Sequence, residues 1–176
     1  AHSSGPYALG AFGDAVYLGN VNLGATQFLP LLNTSFQRAY GNIYSSPSEL
    51  YEAPYDSYVE TLLPSTSAST LISSGRLPAT ALFAANSLPN PGGRFALFFG
   101  ANNLVKTSYR NAVVADVLAN PAAPTHPLRV AGVRNDLLRQ NWTPNRPMLL
   151  CGGLEDPTVF FDLNTNGAKT YFNDRG

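Results

Sequence analysis

The stretch from Pro147 to Val159, PMLLCGGLEDPTV, constrains this sequence more than any other. Met148 to Cys151 is an all-apolar run closed by Gly152 and Gly153. A strand that is apolar on both faces belongs inside a parallel sheet covered by helices. The turn Trp142-Thr143-Pro144-Asn145-Arg146-Pro147 leads into the run, and Thr158–Phe161 and a helix predicted over 164–172 follow it. Helix, turn, buried strand, glycines and helix is the rhythm of an α/β fold. Cys151, the sole cysteine, is expected as a small buried hydrophobe, with no internal disulfide or Cys-rich metal site.

The rest of the chain reads as helices and loops. Ala1 to Leu9 predicts a short strand running into a loop punctuated by Gly5-Pro6. Ala11 to Leu32, dotted with Gly13, Gly19 and Gly24, suits a helix or closely packed turns. Leu32, Phe36 and Tyr40 recur at four-residue spacing and predict a helix over 31–40. At Ser46-Pro47-Ser48-Glu49 another helix starts, with Ser46 as N-cap, Pro47 as first helical residue and Glu49 as the capping-box acid. Leu63 to Leu77 is rich in Ser, Thr and Gly, Leu88 to Arg94 (LPNPGGR) is a loop, and Phe95 to Phe99 is apolar without an assignment. Ser108 is the predicted cap of a helix whose apolar side is Ala112, Val113, Ala115, Val117 and Leu118. Asn120 to His126 reads as a rigid linker, and Leu128 to Leu138 as a further helix. No strand series runs through 31–104, which reads as an inserted helical cap with long loops. The expected organisation is a core segment at 1–30, the cap at 31–104, and core helices with the late strand and its acid loop at 105–176.

Composition excludes some classes of function. Charged residues are 12% of the 176, about half the usual share, and eleven basic residues balance eleven acidic ones. Nothing is basic enough to track a nucleic-acid backbone. Polarity carried by Asn, Ser and Thr points to a secreted or periplasmic protein. No run reaches the ~20 apolar residues of a membrane span. The opening AHSSGPYALG has no initiator Met and no basic leader, which suggests processing or a beginning cut from a longer polypeptide. Gly92-Gly93 and Gly152-Gly153 lack the pattern of a phosphate loop, and no dinucleotide fingerprint occurs. Asp136, Glu155, Asp156 and Asp162 are too scattered, and too short of His, for a transition metal; Ca²⁺ on carboxylates and carbonyls stays open. Asn33-Thr34-Ser35 and Asn141-Trp142-Thr143 fit the N-glycosylation acceptor pattern.

Ligands of open α/β sheets sit outside the carboxyl ends of the strands, where Asp156 falls. A serine hydrolase needs a fixed carboxylate to hold its histidine in the right tautomer. The glycines permit a sharp turn before Asp156, and Pro157 stiffens the far side. The alternative is structural, with Asp156 forming an Asx-turn or capping the next segment. Glu155 could fill the same role, but its longer side chain is harder to fix. In the cap, Phe28, Phe36, Tyr40, Tyr44, Tyr51, Tyr55 and Tyr58 read mainly as core. Tyr51, Tyr55 and Tyr58 at helical spacing would make either a substrate-pocket wall or a packing seam.

Residues Pro127 to Val159 resemble the late part of a serine α/β-hydrolase, closest to secreted lipase- or esterase-like members with a cap domain. There a helix precedes a W-x-P turn, and the following strand ends in G-x-x-D, whose aspartate is the triad acid. The resemblance places that role on Asp156. Ser4 to Tyr7, SGPY, is similar to the segment after the nucleophile helix where the cap begins. The implied fold is therefore a partial α/β-hydrolase, a parallel sheet covered by helices with an inserted helical cap that lines an apolar substrate pocket. No cofactor is implied.

The family order is serine, aspartate, histidine. Here no G-x-S-x-G occurs, Ser3, Ser4 and Ser73-Ser74-Gly75 lack the elbow, and no histidine follows Asp156. His126 precedes the acid and reads as a loop-packing or solvent-facing residue, and His2 lies at the terminus. Two expectations follow. One is a carboxylic ester hydrolase acting on small-molecule or lipid esters, with an amidase or peptidase as a near variant. Its nucleophile and base would lie outside these residues, on the remainder of the polypeptide, present in some form as a separate chain. The other is a non-catalytic ligand- or partner-binding protein on the same fold.

Overall fold

The computed structural model describes residues 2–3 as backbone and residues 5–62 and 65–175 in full. Ala1, Ser4, Leu63, Pro64 and Gly176 lie outside the described residues, as do the side chains of His2 and Ser3. The expectations for Ser4 and for the start of the 63–77 loop fall there.

Strand β1 (His2–Ser3) pairs in parallel with β2 (Leu150–Cys151), in the register His2 with Leu150 and Ser3 with Cys151. Between them lie α1 (Leu9–Tyr17), α2 (Ala25–Tyr40), α3 (Pro47–Leu50), α4 (Val59–Leu62), α5 (Ala68–Ser73), α6 (Thr107–Ala119) and α7 (Pro127–Arg134). Helix α8 (Gly167–Asn173) follows β2. The parallel pairing matches the expected α/β arrangement, but the burial does not. Leu149 is 64% exposed and Cys151 is also exposed, while Leu150 is half-buried, so one face of β2 is left open by the described residues. Cys151 is thus a surface thiol here, not the buried hydrophobe its neighbours suggested.

One apolar core runs without a break from Val16 to Ala131 and joins residues of 31–104 to α1, α6 and α7. Leu50, Leu82 and Leu104, each fully buried, contribute about 2 kcal/mol apiece. Helix α1 meets α7 at small residues. A Cβ on Gly10 would come within 3.1 Å of Asp136 Oδ2 and 3.2 Å of Val133, so a larger residue would push these side chains back by a few tenths of an ångström. The Gly10 N–H then donates to Asp136 Oδ2 at 2.9 Å, locking the crossing. Helix α2 runs past its predicted start. Gly24 opens it with φ +85°, a conformation side chains resist, and Pro30 lies inside it.

Several local expectations are corrected. Ser46 stands at the start of α3, but its side chain makes no capping bond; the Glu49 carboxylate reaches Ser45 N–H instead, at 2.9 Å. Helix α6 begins after Lys106, and Ser108 does not cap it. Its buried face is Tyr109, Arg110, Val113, Val114, Asp116 and Val117, whereas Ala112, Ala115 and Leu118 are exposed. The rotation has a physical cause: two charged residues of α6 are satisfied inside, so the face that carries them can be buried. The predicted 128–138 helix ends at Arg134, and Asp136 then caps a 3₁₀ turn over Leu137–Arg139 through Leu138 N–H. The 164–172 helix opens as a π-turn over Asp162–Asn166. Asn33 is 2% exposed, which closes that acceptor pattern to glycosylation; Asn141 is exposed. Among the described residues no helix is long and apolar enough to cross a membrane.

The charged residues are placed with care. Arg129 grips Asp14 of α1 through Nε and Nη2, both at 2.8 Å, and Asp116 of α6 through Nη1 at 2.6 Å. Asp116 also accepts from Asn120 and from the backbone and hydroxyl of Thr125 and the backbone of His126. The 120–126 segment is therefore clamped to α6. Burial raises the Asp116 pKa, but these donors outweigh it and hold the carboxyl well below the usual range.

Replacing Arg129 by Met leaves two carboxylates without their cation, with an expected loss of about 3–5 kcal/mol in urea unfolding at neutral pH. The pKa of Asp116 is depressed on folding, so its contribution is complete above the unfolded value near 4 and is lost as pH falls towards the folded one. The gap between wild type and R129M should shrink in acid; a gap that stays flat down to about pH 3 would assign the loss to packing.

Candidate functional site

The loop after β2 is built to hold one carboxylate. Asp156 N–H donates to Gly153 O at 3.2 Å, turning the chain back on itself. Asp156 Oδ1 then accepts from Thr158 N–H at 2.8 Å and Val159 N–H at 2.9 Å. This is the Asx-turn that the structural reading of Asp156 anticipated. It is also a means of orientation, since two backbone donors fix the plane of the carboxyl. The loop is fastened from outside: Leu23 N–H donates to Pro157 O at 2.8 Å, and Phe160 packs edge-on against Phe12 of α1, with ring centroids 5.3 Å apart. Beyond it, Asn164 Oδ1 accepts from Ala8 N–H at 3.1 Å and ties the π-turn to the start of α1.

Asp156 is half-buried in the wall of a cleft of about 490 Å³. The turn between α1 and α2 and the 3₁₀ turn over Gly93–Phe98 contribute further walls. Glu155 and Asp162 line the cleft as well, and Arg94 stands among them as a cation, its guanidinium 4.8 Å from the centre of the Phe95 ring. Leu23, Leu97 and Leu154 line the cleft and are about half or more exposed, so its rim is apolar. The arrangement presents a held carboxylate next to an apolar surface that is open to a ligand. The 94–98 wall falls within the 31–104 region expected to line a pocket, but none of its residues was singled out. Its signal was the apolar Phe95–Phe99 run directly after the glycine loop, which had no assignment as an element.

The other sequence candidates lie elsewhere. His126 is the N-cap of α7: its Nδ1 accepts from Leu128 N–H at 3.3 Å, and its ring stands edge-on to Tyr109 at 5.2 Å. Burial keeps its pKa below the ordinary value, with Asp116 opposing and Arg129 assisting. It is a loop-packing histidine and does not line the cleft. Ser73 and Ser74 donate to carbonyls of α5, Thr70 O and Leu71 O. Tyr51, Tyr55 and Tyr58 share no helical face, because α3 ends at Leu50 and Tyr51 has extended backbone. Tyr51 is fully buried, Tyr55 donates to Asn102 O at 3.0 Å, and Tyr58 lies under the Arg76 guanidinium. Tyr55 lines an open cavity with Pro54 and Asn102. Among the described residues no group of three or more His, Cys, Asp or Glu comes together as a metal site.

No family model matches the chain, and no curated protein matches it in sequence. Solved structures do. The fold is esterase-like: the chain is similar to structures of the rice cell wall degrading esterase LipA from Xanthomonas oryzae. A glycine-to-phenylalanine mutant of that esterase superposes with a TM-score of 0.74, and a ligand-bound form with 0.72. Each is 25% identical to the chain, over 99% of this chain and 39% of the esterase. The chain thus spans well under half the length of the structures it matches.

Asp156→Asn keeps the Oδ1 acceptor for Thr158 and Val159, whereas Asp156→Ala removes it. Chemical unfolding should place the Asn variant within about 0.5 kcal/mol of wild type and the Ala variant about 1–2 kcal/mol lower. Equal losses would show that the charge, and not the turn, holds the loop.

Proposed function

We propose that this chain is part of a serine-type carboxylic ester hydrolase, in which Asp156 is the acid that orients the base histidine. The observation that carries the reading is the Asp156 carboxyl itself. Its orientation is set by two backbone N–H groups, it follows a parallel strand, and it faces a cleft with an apolar rim, in a chain whose whole length superposes on an esterase. The nucleophilic serine and the histidine belong to polypeptide outside these 176 residues. That one face of the apolar strand β2 is open on the described residues supports the same view, since helices of a complete parallel sheet would cover it. Residues 31–104 act as the cap and shape the acyl side of the cleft.

In this mechanism the serine attacks the ester carbonyl while the histidine takes its proton and later returns it to the leaving alcohol. Asp156 accepts from the imidazole N–H, holds the tautomer and stabilises the cation that forms, remaining ionised throughout. The Asx-turn gives it the fixed geometry that role requires. Esters with an apolar acyl group suit the rim of Leu23, Leu97 and Leu154. A secreted or periplasmic location is part of the same reading, resting on the low share of charged residues.

Asp156→Asn should lower kcat on a p-nitrophenyl ester by about 10³–10⁴ with little change in KM, because geometry survives but the tautomer is no longer held. Fluorophosphonate labelling of the full-length protein should mark a single serine. Absence of labelling in folded material would leave a binding protein on an esterase-like fold.

A further inference from the structure

The Asp156 turn fixes the carboxyl within its own loop. The loop is joined to the core by the π-turn that follows it, over Asp162–Asn166. The wide bond of that turn runs from Asn166 N–H to Phe161 O at 3.0 Å. Such turns are rare, and they are frequent at functional sites. Asn164 stands in the middle of it, 0% exposed, with both ends of its amide engaged. Oδ1 accepts from Ala8 N–H at 3.1 Å, and Nδ2 donates to Phe160 O at 3.1 Å. The first bond reaches across 156 residues of sequence to the start of α1. The second closes on the residue directly after Val159, whose N–H holds Asp156 Oδ1. The Asn164 backbone N–H reaches the same Phe160 carbonyl, also at 3.1 Å.

Both ends of this bridge are anchored. Tyr7 O accepts from Leu137 N–H at 3.0 Å and Gly10 N–H is held by Asp136, so Ala8 stands between two fixed points. On the loop side, Thr165 is buried against the end of β2. A Cβ on Gly152 would come within 2.4 Å of Thr165 Oγ1 and 2.9 Å of its Cβ, so the glycine that closes the strand lets the π-turn lie against it. The chemistry at 164 calls for an amide. Leucine would make neither bond and would leave the Ala8 N–H buried without an acceptor, whereas aspartate keeps the acceptor but, when ionised, has no donor for Phe160 O.

We propose that Asn164 is a positioning residue for Asp156, an inference that rests on the ester-hydrolase reading of that carboxylate. Through Phe160 and the two N–H groups of the turn, it sets where the carboxyl stands against the core, and so against the imidazole it must orient. A misplacement of about 1 Å in such a constellation costs about 10²-fold in rate. Substrate binding is left alone, because Asn164 does not line the cleft.

The test is a double-mutant cycle on the full-length protein, with p-nitrophenyl butyrate as substrate. Asn164→Ala should lower kcat by about 10²-fold and leave KM within about twofold of wild type. In the Asp156→Asn background the same change should cost less than about threefold, because the group it acts through is already impaired. Asn164→Asp keeps the Ala8 acceptor and the side-chain volume, and it should show the same pattern at about tenfold; it carries the test if the Ala variant does not fold. Equal losses in the two backgrounds would reduce Asn164 to a general support of the fold and overturn the proposal. So would a kcat within about twofold of wild type, in a folded Asn164 variant, when Asp156→Asn alone is impaired. If Asp156→Asn itself keeps full kcat, the hydrolase reading fails first and the positioning role goes with it.

Discussion

The fold is organised around a buried cation. Arg110 of α6 is fully buried, and its guanidinium has no carboxylate partner among the described residues. Nε donates to Tyr17 O at 3.0 Å, Nη1 to Ser87 Oγ at 2.7 Å and Nη2 to Pro89 O. The Phe83 and Phe99 rings flank it, with centroids 4.1 and 4.9 Å from the guanidinium carbon. Burial pulls its pKa down to about 10, with Tyr17 opposing, so it stays charged at neutral pH. A desolvated charge is tolerable only where it is hydrogen-bonded, and each of the three nitrogens here donates to an acceptor. Here the acceptors come from two places distant in sequence: the end of α1 and the loop that carries Ser87 and Pro89. Once the cation is inside, those segments have little freedom to sit elsewhere. The loop so fixed runs directly into Arg94 and Phe95 and hence sets one wall of the cleft facing Asp156.

Arg129 does for the other side of α1 what Arg110 does for its end. By holding Asp14 and Asp116 it keeps α1, α6 and α7 in contact, and α1 in turn carries Phe12 against Phe160 of the acid loop. The scarcity of charge is informative in this light. With so few charged residues, two of the eleven bases are placed inside the molecule, where each joins several segments.

These arginines also explain where the sequence could be read and where it could not. Apolar spacing located α2 and α7, and the step from apolar run to paired glycines located β2 and its acid. Local chemistry governs those elements. On α6 the spacing of apolar residues misled, because Arg110 and Asp116 belong to the buried face and their partners, Tyr17 and Arg129, are remote in sequence. Tyr51, Tyr55 and Tyr58 fit a helical spacing, but the chain leaves the helix at Leu50, where Tyr51 pairs with Val105 as an isolated bridge. Nothing in the local sequence announces that bridge. For the candidate site, the turn at Asp156 was legible because its loop is self-contained. The 94–98 wall was not, because it is brought there by Arg110.

The parallel pairing of β1 with β2 has a different kind of consequence. The two strands meet across almost the whole chain, so the sheet perceives everything between Ser3 and Leu150 as one closed loop. The entropy of closing such a loop grows only with the logarithm of its length, and doubling it costs about 0.6 kcal/mol. The register of the strands is therefore nearly indifferent to the size of the helical insertion. Proteins built on this plan can lengthen, shorten or rebuild the walls of the cleft while the carboxylate after β2 stays where it is.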